Sequence, residues 1–87
     1  MALDAKIEKI GDSISIDVRS LQSENIVPEY QIEISVDGNE YQIVSDYSEK
    51  TNYDIFISES ENLKVRITAR NSENMGADKA YQEYEIN

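Results

Sequence analysis

The stretch LKVRITAR, residues 63–70, decides the fold. Leu63, Val65, Ile67 and Ala69 fall on one side of an extended chain; Lys64, Arg66, Thr68 and Arg70 fall on the other. A period of two is that of a strand with one face in a core and one in water. The wet face is basic, and it holds three of the eight Lys and Arg residues of the chain. Such a strip is best placed in a sheet between acidic neighbours, where each opposite-charge pair contributes roughly 0.2–1 kcal/mol.

Two other segments supply those neighbours. In YQIEISV, residues 30–36, Tyr30, Ile32, Ile34 and Val36 point one way and Gln31, Glu33 and Ser35 the other. In AYQEYEI, residues 80–86, a strand reading turns Gln82, Tyr84 and Ile86 inward and Glu83 and Glu85 outward. This last segment also fits a helical stripe through Ala77, Ala80, Tyr81 and Tyr84, and its composition suits a helix. Four further strands complete the pattern. SISIDV, residues 13–18, buries Ile14, Ile16 and Val18, and AKIEKI before it reads as an edge strand ending at Gly11-Asp12. Asp37-Gly38-Asn39 is a hairpin turn, since Gly accepts positive φ and Asp or Asn can bond its own backbone. A partner strand, residues 41–44, follows it, then a polar turn over residues 46–52. Residues 53–57 form the fifth strand, with Tyr53, Ile55 and Ile57 inward and Phe56 outward. The remaining connections are residues 21–29, where Pro28 disfavours helix at Val27, SESEN at 58–62, and a loop at 71–78 containing Gly76.

Seven short strands in 87 residues predict one all-β domain, a seven-stranded antiparallel β-sandwich of the immunoglobulin or fibronectin type III kind. In that fold the sixth strand lies between the third and the seventh, which places the basic strip between the two acidic ones. Composition agrees. Twelve isoleucines against three leucines favour a pleated surface. Without Cys, neither disulfides nor zinc–thiolate sites can form. A net charge of −10 argues against nucleic acid and against an anionic membrane surface, and no apolar run is long enough for direct membrane insertion. Met1-Ala2 opens the chain with no signal pattern, so we expect a piece of a longer protein.

The order of motifs is similar to that of the triple-tyrosine (Y_Y_Y) domain. The resemblance is carried by Tyr30-x-Ile32-x-Ile34, Asp37-Gly38, Tyr41-x-Ile43-Val44-x-Asp46-Tyr47-Ser48, Asn52-Tyr53 and Ala80-Tyr81-x-Glu83-Tyr84-x-Ile86. It covers residues 13–86. The chain departs from the family in lacking a Gly-rich lead into the third strand, and in having Tyr41 and Ile55 where many members have Trp. The resemblance implies a non-catalytic β-sandwich in an extracellular, cell-surface or periplasmic part of a larger bacterial protein. Family members occur in the sensor regions of two-component regulators and as repeated modules of clostridial surface and cell-wall proteins. The partners implied are neighbouring domains of the same chain, with a protein or a cell-wall glycan as the alternative.

Six tyrosines, one Phe and no Trp make the tyrosines the first candidates for a binding site. Alternation puts Tyr30, Tyr53 and Tyr84 inward or at strand ends. Tyr41 and Tyr81 are the expected exposed aromatics. Asp46, Tyr47 and Ser48 are read as a structural turn. There the Asp and Ser oxygens would take unpaired N–H groups, and the Tyr47 ring would fold over one end of the sandwich. We expect these rings to cover the core rim rather than to form a sugar platform, because single exposed aromatics are ordinary. Asn71-Ser72-Glu73-Asn74 with Asp78 offers oxygen donors, but not at EF-hand spacing, so no metal or cofactor is expected. With neither His nor Cys, the commonest bases and activated nucleophiles are missing, and the expectation is no enzyme.

Overall fold

A computed structural model describes residues 2–21, 28–57, 62–71 and 79–86. Of the connections expected at 21–29, 58–62 and 71–78, residues 22–27, 58–61 and 72–78 lie outside the described residues, and with them Ser72, Glu73, Asn74 and Asp78 of the oxygen cluster. The strands are β1 (Ala2–Ile10), β2 (Ser13–Leu21), β3 (Pro28–Val36), β4 (Gln42–Ser48), β5 (Asn52–Phe56), β6 (Leu63–Asn71) and β7 (Lys79–Ile86). They form two antiparallel sheets, ordered β1-β2-β5 and β4-β3-β6-β7. One core cluster draws on both sheets, so the fold is sandwich-like.

Arg66 stands opposite Glu33 on β3 and opposite Glu83 on β7, in the middle of the row that the charge pattern predicted. The segment that could also be read as a helix is strand β7. Of the seventeen side chains that alternation turns inward, twelve are buried: Ile14, Ile16, Val18, Tyr30, Ile32, Ile34, Tyr53, Ile57, Leu63, Val65, Ile67 and Ala69. Ile55, Tyr84 and Ile86 are half-buried against this core and Gln82 is exposed, because β5 and β7 are edge strands among the described residues. Val36, the last residue of β3, is half-buried too.

The stretch from Asp46 to Ser48 is not a turn. It is the end of β4, and the chain turns at residues 49–51. The reason is visible in the register. Between Tyr30 and Glu33 of β3, β4 uses two extra residues, so the ladder is bulged twice. A bulge breaks the period of two on which the sequence reading depended. Before it, Asp37 (φ 50°) and Gly38 (φ 82°) form the turn, with the Asn39 N–H donating to the Val36 carbonyl at 3.0 Å. Both positive φ values suit the right-handed twist of a tight hairpin.

The short connection after β4 does not make a hairpin; it changes sheets. The Thr51 carbonyl accepts the Val18 N–H at 2.8 Å, which hands β5 to β2. Tyr53 pins the crossing from below. Its hydroxyl donates to the Lys50 carbonyl at 2.7 Å and lies 3.2 Å from Ser48 Oγ. On the opposite side of the sandwich, Tyr84 accepts the Ala5 N–H and so ties β7 to β1. By register, Ala5 is one of the β1 residues whose backbone groups point away from β2. The molecule is elongated, 40 × 22 × 16 Å. β1 begins at one pole, while β7 ends at the other, beside Val36 and Leu63.

Candidate functional site: the tyrosine–arginine face

The outer face of the β4-β3-β6-β7 sheet gathers Tyr41, Tyr47 and Tyr81 around β6. Arg66 donates through Nε and Nη2 to the two carboxylate oxygens of Glu33, both at 3.0 Å, and Glu83 lies 4.0 Å from Nη1. Its guanidinium carbon sits 4.2 Å from the centroid of the Tyr41 ring. Four residues along, Arg70 repeats the arrangement. It donates to Glu29 at 3.0 Å and lies 3.7 Å from the centroid of Tyr47. Each arginine is thus held at its edge by a carboxylate and at its face by a ring, an arrangement the planar guanidinium suits and an ammonium does not.

Tyr41 was expected to be exposed. It is half-buried, and its hydroxyl is buried without a hydrogen-bond partner among the described residues. The physical reason is Arg66, whose flat head covers the ring. Tyr47 does not cap the sandwich end; it lies on the outer face against Arg70, and the end is held by Tyr53. Tyr81 is 64% exposed, as alternation predicted. Asp46 Oδ1 accepts the Tyr47 N–H at 2.8 Å and the Gln31 amide at 3.1 Å. These bonds hold the Asp46 carboxyl below the ordinary carboxylate range, the backbone bond contributing most. Ser48 Oγ accepts the Lys50 N–H at 3.4 Å.

Between these groups lies a shallow depression of about 290 Å³, lined by Glu33, Tyr47, Arg66, Thr68, Tyr81 and Glu83. Arg66, the one arginine among its described lining residues, is already paired with Glu33 and Glu83, so the depression offers no free cation to an anion. Arg66 and Arg70 each occupy one face of a tyrosine ring, which leaves Tyr81 as the open stacking surface. The arrangement stiffens a sheet face more than it prepares one for a ligand. Among the described residues no group of three or more His, Cys, Asp or Glu is placed to hold a metal ion. Sequence reasoning found the Glu33–Arg66–Glu83 row but missed the Glu29–Arg70–Tyr47 group. The signal was Glu29, two residues before Gln31, at the position that meets Arg70 when Glu33 meets Arg66.

Two expected results follow from these contacts. Glu33 is only 13% exposed and is bonded at both oxygens, whereas Lys64 reaches Glu85 at 3.9 Å with both side chains in water. Arg66→Met should therefore cost about 1–2 kcal/mol, while Lys64→Met should cost no more than about 0.5 kcal/mol. Equal effects in chemical denaturation would contradict the bidentate pair.

The second concerns pH. Burial raises the hydroxyls of Tyr41, Tyr47 and Tyr84 above their ordinary value; Glu83 adds to the shift at Tyr41 and Asp4 at Tyr84, while Arg70 opposes it at Tyr47. In the unfolded chain a tyrosine ionises near pH ~10. Above that point the folded form binds more protons than the unfolded one, so stability falls as the pH rises. The melting temperature should hold steady up to about pH 9.5 and then drop, and it should drop less steeply when the three tyrosines are replaced by Phe. Identical alkaline profiles would show that these hydroxyls are not shielded.

Comparison with known protein families, with curated proteins and with solved structures finds no match for this chain.

Proposed function

We propose that this chain is a non-catalytic module of a larger bacterial protein outside the cytoplasm, used to space or dock neighbouring domains. The observation that carries this is the path of the chain: β1 starts at one pole of a 40 Å body and β7 finishes at the other. A unit built this way can be strung in series, either in a sensor region or in a row of surface repeats. The strand order favours the fibronectin type III form of the sandwich over the immunoglobulin constant form. In the latter the fourth strand sits with the first, second and fifth, whereas here β4 joins β3. The paired motifs around Tyr30, Tyr41, Tyr47, Tyr53, Tyr81 and Tyr84 support the triple-tyrosine family.

A carbohydrate-binding role is less well supported, because two of the three outer-face rings are covered by guanidinium groups. The test is a head-to-tail fusion of two copies, measured by small-angle X-ray scattering. Its longest dimension should be about twice the 40 Å of one unit. A compact particle with the two copies side by side would contradict the spacer reading.

A further inference from the structure

Among the described residues, no strand pairs with the outer edge of β5. We propose that this edge accepts an extended segment of a partner protein, with a basic residue between apolar ones, as a fourth strand of the β1-β2-β5 sheet. The backbone register carries the first part of the argument. The Thr51 carbonyl accepts the Val18 N–H of β2 at 2.8 Å, and the Ile57 N–H donates to the carbonyl of Asp12, the residue just before β2, at 2.7 Å. In an antiparallel ladder the bonding side alternates, so Tyr53 and Ile55 also turn toward β2. Asn52, Asp54 and Phe56 then aim their N–H and C=O groups outward, where no strand pairs with them among the described residues. This is the position that the fourth strand holds in an immunoglobulin constant-type sandwich. Here β4 has left it for β3.

The other three edges are blunted. β4 carries two bulges. β1 exposes Lys6 and Lys9 and gives its Ala5 amide to Tyr84. β7 exposes Glu83 and Glu85. β5, though short, has no bulge, no Pro and no Lys, and it leaves Phe56 75% exposed. Beside it runs an apolar groove of about 190 Å³, formed by Val36, Val44, Ile55, Phe56 and Ile57 with Ile34 and Gln42. An added strand would bury alternate side chains in this groove while its main chain satisfies the β5 edge.

Charge selects the occupant. Asp54 is the central residue of β5 and is exposed on its outer face. In a second copy paired about a two-fold axis, Asp54 would face Asp54, and two chains of charge −10 would meet. A partner with Lys or Arg opposite Asp54, and apolar residues opposite Ile55 and Phe56, removes both penalties. This inference stands independently of the series arrangement of modules.

The test uses the peptide GSVVKVTSG, which places lysine opposite Asp54, and a control with glutamate in place of lysine. Binding is read by fluorescence anisotropy and by amide shifts in NMR spectra of the intact protein. The lysine peptide should bind at least about tenfold more tightly than the glutamate peptide. Asp54→Lys should reverse the preference, and the shifts should centre on Asn52, Asp54 and Phe56. No binding of the lysine peptide up to about 1 mM, or a preference unchanged by Asp54→Lys, would overturn the proposal. So would a dimer in sedimentation that shields the same amides, since the edge would then belong to a second copy.

Discussion

Ile67→Ala should lower the unfolding free energy by about 2–5 kcal/mol, the range for truncating a fully buried aliphatic side chain. Ile67 has no exposed surface, and it lies in the centre of β6 between Ile32 and Gln82. The central strands β3 and β6 on one side and β2 on the other leave no room to collapse into the gap. A domain of this size has only about 5–10 kcal/mol in total, so the variant should be partly unfolded at physiological temperature. Urea denaturation followed by circular dichroism measures this. A midpoint near that of the wild type would mean that β6 turns its other face to the core.

Tyr53→Ala should have a comparable effect, about 3–5 kcal/mol, since it removes a buried ring and the hydrogen bonds of its hydroxyl. Tyr53→Phe should cost about 1 kcal/mol, because the Lys50 carbonyl can turn to water. At Tyr47 the corresponding changes should be much smaller: nearly neutral for Phe and about 1 kcal/mol for Ala, which loses the contact with Arg70. The comparison decides which tyrosine holds the crossing between the sheets. A large loss at Tyr47 with little at Tyr53 would reverse the assignment.

The contrast between these two residues shows what could be read from the chain. Strict alternation located β2, β3, β6 and the buried face of each. The charges on β6 located its neighbours, because a row of opposite charges across three strands is a long-range signal written in local sequence. The end of β4 was hidden, since two bulges shift its side chains out of phase and make Asp46-Tyr47-Ser48 resemble a turn. Alternation turned Tyr53 inward but could not place Tyr47. Both flank the same polar connection, and only the sheet change at residues 49–51 puts one ring in the core and the other under Arg70. The pairing of β4 with β3 was legible in the Asp37-Gly38-Asn39 hairpin turn, and the capture of Thr51 by Val18 sends β5 to the other sheet.

The switch of β4 from β5 to β3 defines the strand order, and it creates both the open groove and the free edge. Residue-resolved amide hydrogen exchange tests it most directly. With β5 bonded on one side only, the amides of Tyr53 and Ile55 should exchange slowly, and those of Asp54 and Phe56 at rates close to those of open loops. Uniform protection along β5 would mean that another strand occupies its outer edge, and would contradict the strand order on which this account rests.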